Sequence, residues 1–205
     1  MNDIDKIYVI NLEHRKDRLD GFMSQMEQMG LQDLVERIDA IYNPDFGILG
    51  CVKSHLLVLD KIINSNYKNI LVCEDDFRFF DIHTTKEYLK SMKINFDYDI
   101  ISFSANKTSF DFTITPSEYP FLYKASGIQT TSCYLINKNF CKQLYDNFNE
   151  SAYWLEKTKK ITTYALDIYW KRLQPTSRWY LTNPKLGYQE AGYSDIEKKC
   201  VDYNC

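Results

Sequence analysis

The chain has 205 residues, of which 44% are apolar and 26% are charged. This length suits one α/β domain, and the apolar fraction excludes a chain that is disordered throughout. Lys and Arg number 25 against 28 Asp and Glu, so the net charge of −3 lacks the basic surplus expected of a general nucleic-acid-binding protein.

Strands and helices alternate along the N-terminal part of the chain. The apolar run 7–10 predicts a buried strand, and a helix is predicted over 16–29, where Gly30 suits the C-terminal cap. A short strand is predicted over 37–41. A turn over 43–47, which contains Pro and Gly, separates this strand from the next helix.

The second helix is the best-defined element of the sequence. Its apolar residues recur at spacings of three and four, so they share one face of the helix. These residues are Leu49, Val52, Leu56, Leu59 and Ile63. At about 100° per residue, Ser54 falls on the far side from this face and His55 falls on its flank. The helix is expected to end near 64–66.

A fully apolar strand over 70–73 leads directly into three consecutive acids at 74–76. A helix over 84–92 and a strand over 99–104 continue the alternation. Strands that are apolar on both faces and separated by helices favour a mostly parallel sheet with both faces covered. The predicted fold class is therefore α/β, with a Rossmann-like sheet and helices on both faces.

The second half of the sequence is less regular. The polar segment 107–120 predicts a long loop, a strand is predicted over 132–136, and helices are predicted over 139–147 and 164–173. The tail from residue 183 onward is predicted to be irregular. Because no repeat or linker divides the sequence, residues 1–205 are expected to form a single domain.

The sequence also sets expectations about location and the cysteines. No segment approaches the roughly 20 apolar residues of a membrane span, and the acidic N-terminus does not resemble a signal peptide. None of the six cysteines forms a Cys-x-x-Cys pair, so neither a zinc knuckle nor a disulfide framework is expected. A reduced, cytoplasmic compartment is the resulting expectation. Cys51, Cys73 and Cys133 are expected as buried thiols, and His14 and His83 as surface residues.

Glu74, Asp75 and Asp76 give the strongest local signal for chemistry. They follow a buried strand, at the edge where open α/β sheets bind their ligands. Adjacent carboxylates repel one another unless a cation, lysines or solvent offset the charge. Mg²⁺ or Mn²⁺, which bind oxygen ligands and substrate phosphates, would offset it. The alternative is an acidic turn that caps the next segment.

Two further segments contain candidate binding residues. The first strand ends in a strand-to-helix turn, where free backbone N–H groups favour an anion. Arg15 and Arg18 could bind a phosphate or a base edge there, and the alternative is a solvated helix start with local ion pairs. After Gly50, whose lack of a side chain permits close approach, His55 could bind a ligand or be a hydrogen-bonded histidine at a packing edge.

Asp167 lies among apolar and aromatic residues. Partial desolvation there would raise the pKa of its carboxyl, as a general base requires. The alternative is a helix cap or an ion pair with Lys171 or Arg172.

Further along, the polar and aromatic loop 187–197 could close over a sugar or form a plain surface tail.

Taken together, three blocks resemble a known family. They are Ile-Tyr-Val-Ile-Asn-Leu-x-x-Arg-x-x-Arg at 7–18, Gly-Cys-x-x-Ser-His at 50–55 and Leu-Val-x-Glu-Asp-Asp at 71–76. Their order and spacing resemble glycosyltransferase family 25, which includes lipooligosaccharide glycosyltransferases and collagen hydroxylysine galactosyltransferases. Gln-x-x-Gly-Tyr-Ser-Asp-Ile-Glu at 189–197 is similar to a C-terminal stretch in some members.

The resemblance implies a GT-A fold, a nucleotide-sugar donor that is a UDP-sugar, and a divalent metal, Mn²⁺ or Mg²⁺. The acidic triplet stands in for the Asp-x-Asp motif of such enzymes, so Glu74 and Asp76 would occupy its two acidic ends. Asp76 would be the direct metal ligand, and Asp75 or Glu74 would lie nearer the ribose or in the surroundings of the metal. No His follows His83 to complete the metal site.

The same resemblance assigns the remaining site residues. Asn11, Arg15 and Arg18 would line the nucleotide pocket, and Ser54 and His55 would lie near the donor. The missing metal ligands would then come from water, the diphosphate, Gln189 or Asp195.

The implied reaction is a direct displacement in which a hexose passes to a hydroxyl of a glycan, a lipid-linked saccharide or a collagen-like chain, with inversion. Asp167 is the candidate base, and Asp75 is a second catalytic candidate. Two other functions remain open: a sugar-binding protein that has lost catalysis, and a metal-dependent phosphatase or nucleotidyltransferase. The sequence after the strand lacks the Asp-x-Asp-x-Thr pattern that an aspartyl phosphatase would need.

Overall fold

The structure is a computed structural model that describes residues 3–106 and 111–203. The start of the predicted loop, 107–110, and Cys205 lie outside the described residues. The helices are α1 (Lys16–Met29), α2 (Gly47–Ile63), α3 (Ile82–Ser91), α4 (Lys138–Thr158), α5 (Ile161–Tyr164) and α6 (Leu166–Tyr169), with 3-10 turns at Gln32–Leu34 and Trp170–Thr176.

The strands are short, and most of them lie in a single sheet. They are β1 (Lys6–Asn11), β2 (Val35–Asp39), β3 (Asn69–Glu74), β4 (Phe77–Phe79), β5 (Ile100–Ser102), β6 (Thr113–Pro116), β7 (Leu122–Ser126), β8 (Cys133–Asn137), β9 (Trp179–Thr182), β10 (Gly187–Gln189), β11 (Gly192–Ser194) and β12 (Lys199–Val201). Among the described residues, eight strands form a sheet in the order β2-β1-β3-β8-β5-β9-β7-β6.

The sheet is mostly parallel in strand direction. β1 runs parallel to β2 and β3, and β5 runs parallel to β9. β8 and β7 run against their neighbours, so these two oppose the other six strands. The predicted α/β class with a mostly parallel sheet is therefore confirmed.

Helices cover both faces of this sheet, because successive strand residues point to opposite sides. Tyr8 packs in the core formed with α2 and α4, whereas Val9 packs in the core formed with α1 and α3. In the part of the chain that the structure describes, no helix combines the length and apolar character needed to cross a membrane.

Four regions differ from the predicted elements. The segment predicted as a loop contains β6, the irregular tail contains β10 to β12, and α4 runs on to Thr158 instead of ending at 147. The predicted helix over 164–173 is divided into α6 and the 3-10 turn that follows it. The other predicted strands and helices are present, with ends that differ from the prediction by a few residues.

Candidate active site

The acidic triplet lies at the C-terminal end of β3. Glu74 is the last residue of that strand, and it lies beside Ile10 of the parallel strand β1. Asp75 and Asp76 form the turn into β4, which pairs antiparallel with β10. This pairing places the C-terminal segment of the chain against the triplet. The triplet lies at the sheet edge where ligands bind in open α/β folds.

Arg18 joins two of the three acids. Its Nη1 donates to Asp76 Oδ2 at 2.8 Å and to Asp75 Oδ1 at 3.2 Å. The other oxygen of Asp75 accepts a hydrogen bond from Asn11 Nδ2 at 2.7 Å. Both oxygens of Asp75 are therefore engaged. Asn11 is buried and is a partner of Asp75 in this structure, so its predicted contact with a nucleotide stays a prediction.

Asp76 is a buried acid with one engaged oxygen, Oδ2, which accepts hydrogen bonds from Arg18 and Gln189. It is 6% exposed, and within the described part of the chain its Oδ1 has no hydrogen-bond partner. Burial raises the pKa of Asp76 to about 7, and the charges of Glu74 and Asp75 add to this increase while Arg18 opposes it. Arg18 supplies one positive charge to Asp75 and Asp76 together, so this pair of buried carboxylates carries a surplus of negative charge. The triplet therefore fits a divalent cation that prefers oxygen ligands.

Glu74 contacts α2 and the segment before β8. Its Oε1 accepts a hydrogen bond from Thr131 Oγ1 at 2.8 Å and lies 3.4 Å from His55 Nε2. Burial raises the pKa of Glu74, but the contacts with His55 and Thr131 and the charge of Arg18 lower it overall. Glu74 is therefore held in its ionised form.

Ser54 and His55 are both buried, although the helical periodicity places Ser54 on the side away from the apolar face. Ser54 Oγ donates to the carbonyl of Gly50 at 2.7 Å and accepts from Ile41 N at 2.8 Å. These backbone partners make burial of the hydroxyl acceptable. Gly50 permits the close approach, because a Cβ there would clash with the Ile41 carbonyl.

A C-terminal strap, defined here as residues 187–203, is tied to the start of α1. Arg15 Nη1 donates to Asp195 Oδ2 at 2.8 Å and to the Tyr193 carbonyl at 3.0 Å. Arg18 Nη2 donates to the same carbonyl at 2.9 Å, and His14 Nε2 lies 3.0 Å from Asp195 Oδ1. Arg15 and Asp195 are thus paired with each other, and their predicted roles toward the nucleotide and the metal stay predictions.

Gly187 allows β10 to pack against β4, which supports the triplet. A Cβ at this position would clash with the Phe77 ring and the Arg78 carbonyl. We expect Gly187→Ala to lower the free energy of unfolding by about 1–3 kcal/mol, the usual cost of overpacking. Urea unfolding measures this loss, with Gly192→Ala as the matched control, because nothing lies within 4 Å of a Cβ there. Equal stabilities of the two variants would contradict the tight packing of the strap.

Two adjoining cavities open beside the triplet. The smaller, about 110 Å³, is lined by all three acids and by Arg18. The larger has a volume of about 720 Å³ and is lined by residues of α2, α6 and the segment before β8. Cys51, Glu74 and Gln189 line both cavities. The two cavities therefore adjoin at these residues, and the full acidic triplet lies in the wall of the smaller one.

Asp167 lies in the wall of the larger cavity. It is half-buried at the start of α6, and Glu74 and Thr131 line the same cavity. Burial raises the pKa of the Asp167 carboxyl, and the negative charge of Glu74 raises it further. The structure therefore brings the candidate base and Glu74, one acid of the triplet, to the wall of the same cavity, although these two residues are far apart in the sequence.

The family is decided by comparison with known proteins. Residues 45–158 match the family model described as "Glycosyltransferase family 25 (LPS biosynthesis protein)". The chain belongs to glycosyltransferase family 25. A curated relative, "Glycosyltransferase 25 family member" from Aedes aegypti, is 27% identical over 101 residues, a match that covers 37% of this chain and 17% of the relative. The chain thus matches a small part of that longer protein.

Solved structures share the fold of this family 25 chain. A mannose-1-phosphate geranyltransferase from Thermus thermophilus has a TM-score of 0.52 at 10% identity, covering 88% of this chain and 73% of the other. The galactosyltransferase LgtC, in complex with donor and acceptor sugar analogs, has a TM-score of 0.51 at 13% identity, covering 85% and 72%.

A glycosyltransferase involved in glycosylation of the major capsid of PBCV-1 has a TM-score of 0.50 at 9% identity, covering 86% and 80%. At these identities the three likenesses establish the fold alone. The fold is of the GT-A type, and both the GT-A prediction and the family resemblance are confirmed.

The sequence analysis missed three residues that hold the site of this family 25 chain together. Thr131 and Tyr134 support Glu74 and His55, and no charge or motif distinguishes them in the sequence. Arg78 is buried in β4, where its Nη1 donates to the carbonyls of Asp75 and Phe77, both at 2.9 Å. A charged residue between two Phe residues, directly after the triplet, could have indicated this role.

Proposed function

We propose that this family 25 chain transfers a hexose from a UDP-sugar to a hydroxyl of an acceptor, with a divalent metal and with inversion at the anomeric carbon. The acceptor classes considered are a glycan, a lipid-linked saccharide and a collagen-like chain. Family membership and the GT-A fold support the glycosyltransferase activity. The observation that carries the proposal is the buried Oδ1 of Asp76, unpartnered within the described residues, in a cavity that adjoins the one lined by the candidate base Asp167.

Asp76 and Glu74 are the residues that we assign to the metal, Mn²⁺ or Mg²⁺. Asp76 offers its unpartnered Oδ1. Glu74 uses Oε1 for Thr131 and His55, so Oε2 is the atom assigned to the cation. When bound, such a cation stabilises the negative charge that develops on the diphosphate leaving group.

Arg18 is the residue that we assign to the donor diphosphate. It lines the smaller cavity and already neutralises part of the charge of Asp75 and Asp76. Asp75 is engaged at both oxygens by Asn11 and Arg18. This geometry favours a positioning role for Asp75, which orients the Arg18 guanidinium, over the direct catalytic role predicted from the sequence.

Asp167 is the residue that we assign as the general base. Its raised pKa suits a carboxylate that accepts the proton of an acceptor hydroxyl as this oxygen attacks the sugar. The larger cavity, about 720 Å³, is lined by both Asp167 and Glu74 and gives room for a saccharide. Attack from the side opposite the leaving diphosphate would invert the anomeric configuration.

Calorimetric titration with UDP, in the presence and absence of Mn²⁺, tests the proposal directly. Binding that requires the metal is expected, followed by UDP release when a UDP-hexose and an acceptor saccharide are supplied together. If UDP does not bind under either condition, the donor assignment is wrong. Release of inorganic phosphate from a nucleotide would instead indicate a phosphatase.

A further inference from the structure

A second group of potential ligands lies beside the acidic triplet. The Sγ of Cys51, a ring nitrogen of His55 and a carboxylate oxygen of Glu74 lie within 4.8 Å of one another. We propose that these three side chains bind a thiophilic divalent cation such as Zn²⁺, at a site distinct from the one at Asp76. This inference does not depend on the proposed transferase activity.

The spacing of two ligands is already that of a metal site. His55 Nε2 and Glu74 Oε1 are 3.4 Å apart, whereas a charge-assisted hydrogen bond is usually about 2.7–2.9 Å long. Two ligands that bind one Zn²⁺ tetrahedrally at about 2.05 Å lie roughly 3.3 Å apart. The observed separation is therefore long for an ion pair and suits a shared cation. A small movement of the Cys51 side chain completes the set.

The two ligands are oriented by neighbours, as ligands of metal sites usually are. Tyr134 Oη lies 3.1 Å from His55 Nδ1 and can accept a hydrogen bond from Nδ1–H. In the neutral tautomer that carries its proton on Nδ1, Nε2 has a lone pair for a cation. His55 is fully buried, with its ring stacked on Tyr134 and edge-on to Phe148. Thr131 fixes Glu74 Oε1 at 2.8 Å.

The site is accessible and has an open side. Cys51 and Glu74 line both cavities, and His55 lines the smaller one. Three protein ligands with a fourth position that faces a cavity are typical of zinc sites that bind a water or a substrate. Burial raises the pKa of the Cys51 thiol, and the nearby charge of Glu74 raises it further. The cation must therefore displace the thiol proton when it binds.

The chemistry of the ligands separates the two sites. Sulfur and imidazole nitrogen select softer cations, whereas the carboxylates at Asp76 select Mg²⁺ or Mn²⁺. Cys51 binds as a thiolate, so its proton passes to the buffer when the cation binds. Glu74 has two oxygens, and the site proposed here uses Oε1. The two sites can therefore share this carboxylate without excluding each other.

Zn²⁺ binding to the full metal-free chain tests the inference, measured by competition with a chromophoric chelator. We expect one Zn²⁺ per chain, with an affinity that falls by about 100-fold or more in Cys51→Ala. Cys200→Ala, which removes an exposed thiol, is the matched control and should bind as the wild type does. Asp76→Asn should also keep its Zn²⁺ affinity, because Asp76 is not a ligand of this site.

Replacement of Zn²⁺ by Co²⁺ in the wild type gives an independent readout. A thiolate-to-cobalt charge-transfer band is expected, and it does not require any variant to fold. Absence of this band, or equal Zn²⁺ affinity of wild type and Cys51→Ala, would overturn the inference. Loss of Zn²⁺ binding in Asp76→Asn would also overturn it, since the cation would then sit on the acidic triplet.

Discussion

Asp76→Asn is expected to abolish metal-dependent binding of UDP and to lower turnover by about 10³-fold or more, the scale of a lost metal contribution to the transition state. The substitution keeps the shape of the side chain and removes its charge. Because Oδ1 of Asp76 has no partner within the described residues, removing that charge removes a metal ligand and costs no hydrogen bond at this oxygen.

The free energy of unfolding of Asp76→Asn distinguishes this loss of UDP binding and turnover from misfolding. Burial and two neighbouring acids raise the pKa of Asp76 to about 7, so the ionised carboxylate is unfavourable in the folded protein without a cation. The neutral Asn should therefore leave the free energy of unfolding equal or higher. Asp146→Asn is the matched control, because it removes an acid from an exposed pair with Lys142. Unchanged metal-dependent UDP binding in Asp76→Asn would disprove the metal assignment.

The parts of the fold that the sequence predicts are those with a local pattern. The strand before Glu74 is an apolar run that ends abruptly in acids. The apolar spacing of α2 predicts the helix and three of its buried residues, Leu49, Val52 and Leu59. α4 was predicted too short because its buried face contains polar residues. Asn147 and Ser151 are buried, and Ser151 Oγ donates to the Tyr164 carbonyl at 2.6 Å. A hydrogen bond to another element allows this burial, and nothing in the local sequence indicates it.

The strands that the sequence analysis missed are short or lack an alternating pattern. β6 is exposed along its length, and β7 is its one partner among the described strands, so it shows no alternation of apolar and polar residues. β10 has three residues and exists because β4 pairs with it. Short strands of this kind have no periodicity of their own to predict them.

The candidate site also contains residues that a local sequence pattern predicts and contacts that only the fold creates. The triplet and Arg18 follow strand ends and could be predicted there. The contact of Glu74 with Thr131 joins residues 57 positions apart, and the tie between Arg18 and the Tyr193 carbonyl spans 175 positions. The sheet order and the path of the C-terminal strap create these contacts, so one sequence without its fold does not reveal them.

Asp167→Asn is expected to lower kcat by about 10²–10⁴-fold, the usual contribution of a general base, while UDP affinity stays unchanged. Asp167 lines the larger cavity, and it is absent from the wall of the smaller cavity that holds Arg18 and Asp76. The loss should therefore fall on the chemical step and leave donor binding intact. Glu150→Gln is the matched control, because it removes an exposed acid that pairs with Arg172.

The pH profile gives the sharper test of this base. A base acts when it is deprotonated, so kcat of the wild type should fall as the pH drops through the pKa of Asp167. Burial and the charge of Glu74 raise that pKa above the usual range of an aspartate, and the fall should begin at a correspondingly higher pH. Asp167→Asn should lack this acidic limb. If the variant keeps the limb, or loses UDP affinity and turnover to the same extent, Asp167 supports the structure of the cavity and another group accepts the proton.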